Sequence, residues 1–348
     1  MVPAVVPVAL SGVPKLAMKH FICKLLGTVM TAAVLANMAF SDTSAAPRIT
    51  RLGNGPIIVP HMDGRMGSNI QGPSLIKVPD WIDHPLGAYY LYFADHRGTY
   101  IRLAYADAVT GPWTMYEPGS LQLEQSHFPT TCPPCSPAKG SSAALYAHIA
   151  SPDVHIDREN QQIIMYIHGR DVGRQLTRVA LSADGINFEG KPQVLGRPYF
   201  RVIQHRGYHY ALSMPGYLYR SRDGLTDFEP GPRFFNDNMR HSALLIRDNN
   251  LHVFWTQAGH APERVFMSVI AMDGDWMRWK ESEPVEVLRP ETEFEGVNLP
   301  IEASRRGYID ERVNQLRDPA IYQEDGDIYL LYSVSGEHGI AVARVEFE

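Results

Sequence analysis

Ser151-Pro152-Asp153-Val154-His155-Ile156, followed after a turn by Ile163-Ile164-Met165-Tyr166-Ile167, sets a pattern that the chain repeats. A short head containing Pro or Ser leads into an apolar strand, then a turn, then a second strand rich in aromatic and branched residues, which suit a pleated, packed surface. The order recurs at Gly72-Pro73-Ser74-Leu75-Ile76 with residues 88–93, and at Arg197-Pro198-Tyr199-Phe200-Arg201-Val202 with residues 208–212. It returns at Arg240-His241-Ser242-Ala243-Leu244-Leu245 with residues 251–255, and at Arg317-Asp318-Pro319-Ala320-Ile321-Tyr322 with residues 328–332. A third strand follows, as in residues 100–105, 177–181 and 340–345.

Asp184-Gly185 and Asp223-Gly224 then stand before an aromatic residue, Phe188 and Phe228. Asp-Gly supplies the positive φ of a tight hairpin turn. Units of roughly 40–50 residues with three or four strands each are the mark of propeller blades. Five units predict an all-β, five-bladed β-propeller; the competing reading is a β-sandwich with chance internal similarity. The fifth unit reaches Glu348 without an outer strand of its own, and residues 49–59 are expected to supply it. Such closure removes the exposed edges of an open sheet. Loops are expected around residues 117–150 and 288–316.

With 348 residues, 45% of them hydrophobic, the chain can bury a large core, and a single domain over residues 46–348 is expected. The formal net charge of -6 argues against neutralising nucleic-acid phosphates, so no nucleic-acid partner is expected. From Met18, Lys19 and His20 precede a mainly apolar run from Phe21 to Phe40 and a small-residue exit with Thr43 and Ala45. This reads as a secretory leader over residues 1–45 with its true start near Met18 and a secreted or periplasmic product. Lys24 interrupts the run, so a membrane anchor is the lesser alternative, and no stable membrane insertion is expected after cleavage. Cys132 and Cys135 form Cys-Pro-Pro-Cys in a Pro/Ser/Gly-rich stretch. In an exported chain they read as a small disulfide staple, with a metal or redox role as the alternative.

The five-unit pattern, the Ser151–His155 segment and the Asp-turn hairpins resemble the glycoside hydrolase clan of arabinanases and β-xylosidases. Neoagarobiose hydrolases and fructan-cleaving enzymes are relatives in that clan. The resemblance covers about residues 50–348. It implies a carbohydrate substrate, a pocket on the propeller axis, no required cofactor and a calcium ion in the central channel. In that family the aspartate of a blade-two Pro-Asp-Val tunes the acid's pKa, and Asp153 matches it. Two departures are plain: the family's general base stands before the blade-one Pro, here Gly72, and its general acid falls at Gly196. The Asp-turns also resemble sialidase boxes, but those rings have six blades.

Glycosidic cleavage needs one carboxylate as base or nucleophile and one proton donor across the bond. Asp63 or Asp318 is nominated as base, Asp153 as modulator, and Glu302 or Glu337 as acid. A histidine acid, His96 or His241, is the alternative, since an imidazole titrates near neutrality. His61, Arg65, His155, Arg197 and Arg240 complete the expected substrate-binding set. The arginines raise an anionic sugar and a lyase as rivals, because guanidinium pairs bidentately with carboxylate. The missing family acids raise a third reading, a sugar-binding propeller without catalysis. No HExxH or regular ligand spacing points to a transition metal. A monomer or small homo-oligomer is expected.

Overall fold

The computed structural model describes residues 45–131, 146–171 and 173–348. The leader, but for Ala45, and the Cys132/Cys135 pair lie outside the described residues. Among the described residues no helix is long and apolar enough to cross a membrane.

The strands form five four-stranded antiparallel sheets. β1 (Arg48–Arg51) comes first. Blade one is β2 (Gln71–Lys77), β3 (Tyr89–Ala94), β4 (Tyr100–Ala106) and β5 (Thr114–Gln122); blade two is β6 (Ile149–Asp157), β7 (Gln162–Asp171), β8 (Arg174–Ser182) and β9 (Glu189–Gly190). Blade three is β10 (Arg201–His205), β11 (Tyr208–Ser213), β12 (Tyr217–Ser221) and β13 (Glu229–Arg233). Blade four is β14 (Met239–Arg247), β15 (Asn250–Gln257), β16 (Val265–Ala271) and β17 (Val285–Leu288); blade five is β18 (Arg317–Glu324), β19 (Asp327–Ser333) and β20 (Ile340–Glu346). The fold is the five-bladed propeller read from the repeats. The ring closes as expected: β1 pairs antiparallel with β20, Arg48 opposite Glu346 and Arg51 opposite Ala343.

Adjacent blades pack face to face, so a strand with both faces buried reads as a continuous apolar run rather than an alternation. In Tyr90-Leu91-Tyr92-Phe93, Tyr90 and Tyr92 fill the seam toward blade two with Ile149 and Ile163. Leu91 and Phe93 fill the opposite seam with Ala320 and Leu331 of blade five. The other seams hold equivalent clusters, including Trp255, Trp276 and Trp279 between blades three and four. The Asp-Gly turns tie neighbours together. Gly185 and Gly224 have φ of +73° and +71°. Their carbonyls accept 2.7 Å hydrogen bonds from the buried hydroxyls of Tyr92 and Tyr166, each on the preceding blade.

Candidate functional site

Every blade's inner strand runs away from one face of the ring and its second strand returns to it. The heads of β2, β6, β10, β14 and β18 therefore meet the ends of β3, β7, β11, β15 and β19 on the axis. The ladders of four inner strands skip two residues at the head, between Gln71 and Ser74, Ala150 and Asp153, Met239 and Ser242, and Arg317 and Ala320. These are β-bulges, which re-aim side chains. The first bulged residue is left-handed in three of them, Gly72 (φ +64°), Ser151 (+48°) and Asp318 (+48°), as is Tyr199 (+64°) just before β10. Non-glycine residues in this region are strained and persist where the surroundings over-determine them, as at functional sites.

At this head lies a buried polar cluster. His241 Nδ1 is 2.7 Å from Asp318 Oδ1, and Ser333 donates to Asp318 Oδ2. His96 Nδ1 is 3.3 Å from Glu337 Oε1, which also accepts from Arg317 at 2.9 Å. Arg240 pairs with Glu263 at 3.0 Å, and Arg317 Nε lies 3.5 Å from the same oxygen. The Tyr199 ring stacks on His168 at 3.9 Å and leans on His241 at 4.9 Å, with its hydroxyl 3.4 Å from His96 Nε2. All of these side chains are almost fully buried, and among the described residues neither ring nitrogen of His168 has a partner. The His241–Asp318 and His96–Glu337 pairs are close charge contacts without hydrogen-bond alignment.

Charge balance sets the protonation states. Burial pushes Asp318 up, but the His241 imidazole and Arg240 outweigh it and hold the carboxyl below its usual range. Burial likewise opposes ionisation of Glu337, and His96, Arg317 and the Asn69 amide overcome it. Both carboxylates are thus ionised. Burial lowers His241 despite Asp318, and lowers His168 well below the ordinary imidazole value, so these rings stay neutral. His148 beside it is lowered to about 4, again by burial.

A strap of irregular chain, residues 304–310, crosses this cluster. Arg240 donates to the Arg305 and Gly307 carbonyls, and Arg317 to the Gly307 carbonyl. Asn69 reaches the Ile309 carbonyl and Glu337 Oε2. At its outer end Asp310 pairs with Arg97, whose guanidinium covers Tyr308 at 4.2 Å.

Asp153 lies elsewhere. It follows the bulge, so its counterparts are Ser74, Arg201 and Ser242 rather than Asp318. Ser74 accepts from Val154 N of blade two, and Asp153 accepts from Val202 N of blade three at 2.7 Å. Arg201 donates to Pro152 O and Ser242 O. This belt of blade-to-blade clasps forms a waist below the head cluster. Beyond it a cavity of about 720 Å³ opens to the opposite face, lined by Asp153, His155, Arg201, Gln204 and Tyr322 among others. His155 Nε2 is 2.8 Å from Asp153 Oδ2.

Of the nominated residues, Asp318, Glu337, His96, Arg240 and His241 come together at the head, and Asp153 and His155 at the far cavity. The rest lie apart. Asp63 Oδ1 caps its own turn through Arg65 N and Met66 N at 2.7 Å each. Arg65 lies over Tyr100 and reaches Pro118 O, against the outer part of blade one. Arg197 covers Tyr217 on blade three. His61 and Glu302 are exposed loop residues. Tyr199, His168, Glu263 and Arg317 complete the cluster without having been nominated.

The two departures from the family pattern have steric causes. A Cβ on Gly72 would sit 2.7 Å from Ser151 Cα, so no aspartate fits there. A Cβ on Gly196 would meet the Phe200 ring at 2.7 Å, in a packed seam. The calcium ion that the resemblance implies needs six to eight oxygen ligands. Among the described residues no group of three or more His, Cys, Asp or Glu side chains is placed to hold a metal, and the axial carboxylates face cations and imidazoles.

No family model matches the sequence. Among solved structures, the chain is similar to a glycosyl hydrolase from Bacteroides ovatus, with a TM-score of 0.58 at 11% identity, covering 86% of this chain and 94% of that one. It is equally similar to a structure from the GH130 family of mannoside phosphorylases, described as containing glycoside hydrolases that target beta-1,2 mannosidic linkages in Candida mannan (TM-score 0.58, 11% identity, 86% and 94% covered). The GH43_1 enzyme from Xanthomonas citri complexed with xylose gives a TM-score of 0.53 at 12% identity, over 83% of this chain and 90% of that one. At such identity these likenesses establish the shared five-bladed fold of GH43- and GH130-type glycosidases. In sequence, the chain is 36% identical over 304 residues to Uncharacterized protein R118 of Acanthamoeba polyphaga mimivirus, covering 80% of this chain and 83% of that protein. At that identity and coverage, the chain belongs to the same family as mimivirus protein R118.

Proposed function

We propose that the protein is an exported glycoside hydrolase that cleaves a carbohydrate at the axial head cluster. The observation that carries the reading is the meeting, on the propeller axis, of two ionised carboxylates each set against an imidazole: Asp318 with His241 and Glu337 with His96. An aspartate that fixes a histidine's tautomer and orientation arms it for proton transfer. The neutral His241, set against Asp318, takes the proton of the attacking water. The His96–Glu337 pair, carrying one proton between them, gives it to the leaving oxygen, which supplies the base and acid that glycosidic hydrolysis needs. Elimination from an anionic sugar is the rival reading: it needs a cation free to pair with the substrate's carboxylate. Among the described residues, Arg306 of the strap and Arg170 make no salt bridge. Arg240 and Arg317 are already engaged by Glu263 and Glu337.

The test is product analysis by mass over an oligosaccharide panel, with Asp318→Asn, Glu337→Gln and Asp153→Asn alongside. Hydrolysis by the wild type that is lost in the first two supports the reading, and an unsaturated product supports a lyase. A second reading, sugar binding without turnover, is favoured by the steric exclusion of both family carboxylates at Gly72 and Gly196. Binding across the panel with no product selects it.

A further inference from the structure

We infer that the cavity on the opposite face of the ring is a separate binding site for an uncharged oligosaccharide. The inference is independent of whether the head cluster is catalytic. Three observations carry it.

The first is space. A volume of about 720 Å³ lies within the usual range for ligand sites, and it ends at the waist of blade-to-blade clasps. A second cavity of about 590 Å³ adjoins it and shares His155, Arg158 and Gln204, running outward between blades two and three past Tyr166 and His209. A chain of more than one sugar ring can therefore lie along the two.

The second is the lining. Arg201 is buried, yet its hydrogen bonds use only Nε and Nη1. Asp153 is kept ionised: burial opposes this, but His155 and Arg201 overcome it. Tyr322 contributes an aromatic wall and Gln204 an amide at the mouth. A carboxylate acceptor, a guanidinium donor, an amide and an aromatic ring around a half-apolar wall are the groups that hold a polyol.

The third is charge. Each cation on the wall of the larger cavity already has a carboxylate partner. Lys77 pairs with Glu324, Arg201 with Asp153 at 3.4 Å, and Arg158 with Asp80 at 3.7 Å. Asp325 adds a further negative charge. An anionic ligand would meet net repulsion, so phosphates, uronates and sulfated sugars are excluded and a neutral sugar remains.

The experiment is calorimetric titration of neutral mono- to tetrasaccharides and of uronate-containing and sulfated oligosaccharides into four proteins: wild type, Gln204→Trp, His155→Ala and Asp318→Asn. Gln204 is exposed at the cavity mouth, so tryptophan there fills the entrance without touching the core. A neutral oligosaccharide is expected to bind the wild type and Asp318→Asn alike, and at least tenfold more weakly to Gln204→Trp. Weaker binding in His155→Ala adds support, and near-ultraviolet circular dichroism confirms that each variant is folded. Unchanged binding in Gln204→Trp, loss in Asp318→Asn alone, preference for the anionic sugars, or no binding of any neutral sugar each overturns the inference. Loss of binding in Gln204→Trp with hydrolysis retained separates this site from the head cluster.

Discussion

Ring closure joins β1 and the following Leu52, Ile57 and Ile58 to β20, and a buried carboxylate anchors it. Glu295 is fully buried and accepts from Arg51 Nε at 2.8 Å, Arg51 Nη2 at 3.0 Å, Tyr332 OH at 2.9 Å, and the backbone N–H groups of Glu291 and Thr292 at 2.8 and 3.1 Å. It binds the first strand, β19 and the chain after β17 into one unit. Arg51→Met removes the one cation that pairs with Glu295 among the described residues and leaves a buried carboxylate, which costs about 3–5 kcal/mol. Arg51 is itself 21% exposed, so water partly compensates and the lower end, about 3 kcal/mol, is expected. At about 2 °C per kcal/mol for a domain of this size, the midpoint should fall by about 6 °C. The control is in the same strand: Arg48 and Glu346 are 69% and 38% exposed, and Arg48→Met should cost about 1 kcal/mol or less. Urea unfolding followed by tryptophan fluorescence measures both. The Arg51 penalty should also shrink on acidification. Glu295 is held below its usual range by Arg51 against the pull of burial, so its contribution is present above the unfolded carboxyl pKa near 4.3 and fades as pH falls toward the folded value. Equal, small losses in Arg51→Met and Arg48→Met would refute the reasoning.

Asp318→Asn should reduce turnover of a cleaved sugar by about 10²–10⁴-fold while the unfolding midpoint stays within a few degrees, since proton transfer through a positioned group is worth that factor. Gly72→Asp, although it restores the family's residue, should yield no gain in activity and a lower midpoint, because the new Cβ falls 2.7 Å from Ser151 Cα at a φ of +64°. Arg97→Ala removes the partner of Asp310 and the cover of Tyr308, and should raise amide hydrogen exchange across residues 304–310 without raising it in β18. Asp223, lowered to about 2 by its Thr226 and Leu225 hydrogen bonds against burial, stabilises blade three above the unfolded carboxyl value and loses that contribution between about pH 4 and 2. Asp223→Asn should therefore flatten the wild type's stability loss in that window, as read by thermal unfolding.

The blades were legible because packing on both sheet faces leaves nothing but apolar residues in a central strand. Runs such as 90–93 and 163–167 announce that directly, and Asp-Gly fixes where the outer hairpins turn. The axial site was legible only in part. Asp153 follows its proline, whereas Gly72, Arg197 and Asp318 stand before theirs. The bulge brings the residue before the proline, Gly72, Ser151 and Asp318, to the head. Two residues of register separate Asp153 from the cluster and carry it past the waist. Arg197 is displaced the other way, two residues before Tyr199, the left-handed residue that takes the head position of blade three.

One overlooked residue, His168, follows a second rule that the sequence did contain, and the nominated His96 and Glu337 follow it too. Because a second strand runs back toward the head, a polar residue at the end of its apolar run is delivered beside the inner strand's start. His168 closes the run Ile163-Ile164-Met165-Tyr166-Ile167 and pairs opposite Ala150. His96 follows Ala94, which pairs opposite Gln71, and Glu337 follows Ser333, which pairs opposite Arg317. Heads and tails thus supply complementary charges to one place: Arg317 and Arg240 come from heads and Glu337 and Glu263 from tails. Asp318–His241 joins two heads and His96–Glu337 two tails. Under the proposed function, pairs built this way need no shared sequence motif and do not depend on the carboxylate before the blade-one proline. That is why the chemistry of this ring is expected between blades four, five and one, and why Asp318→Asn, rather than any change at Asp153, is the substitution that decides whether it is there.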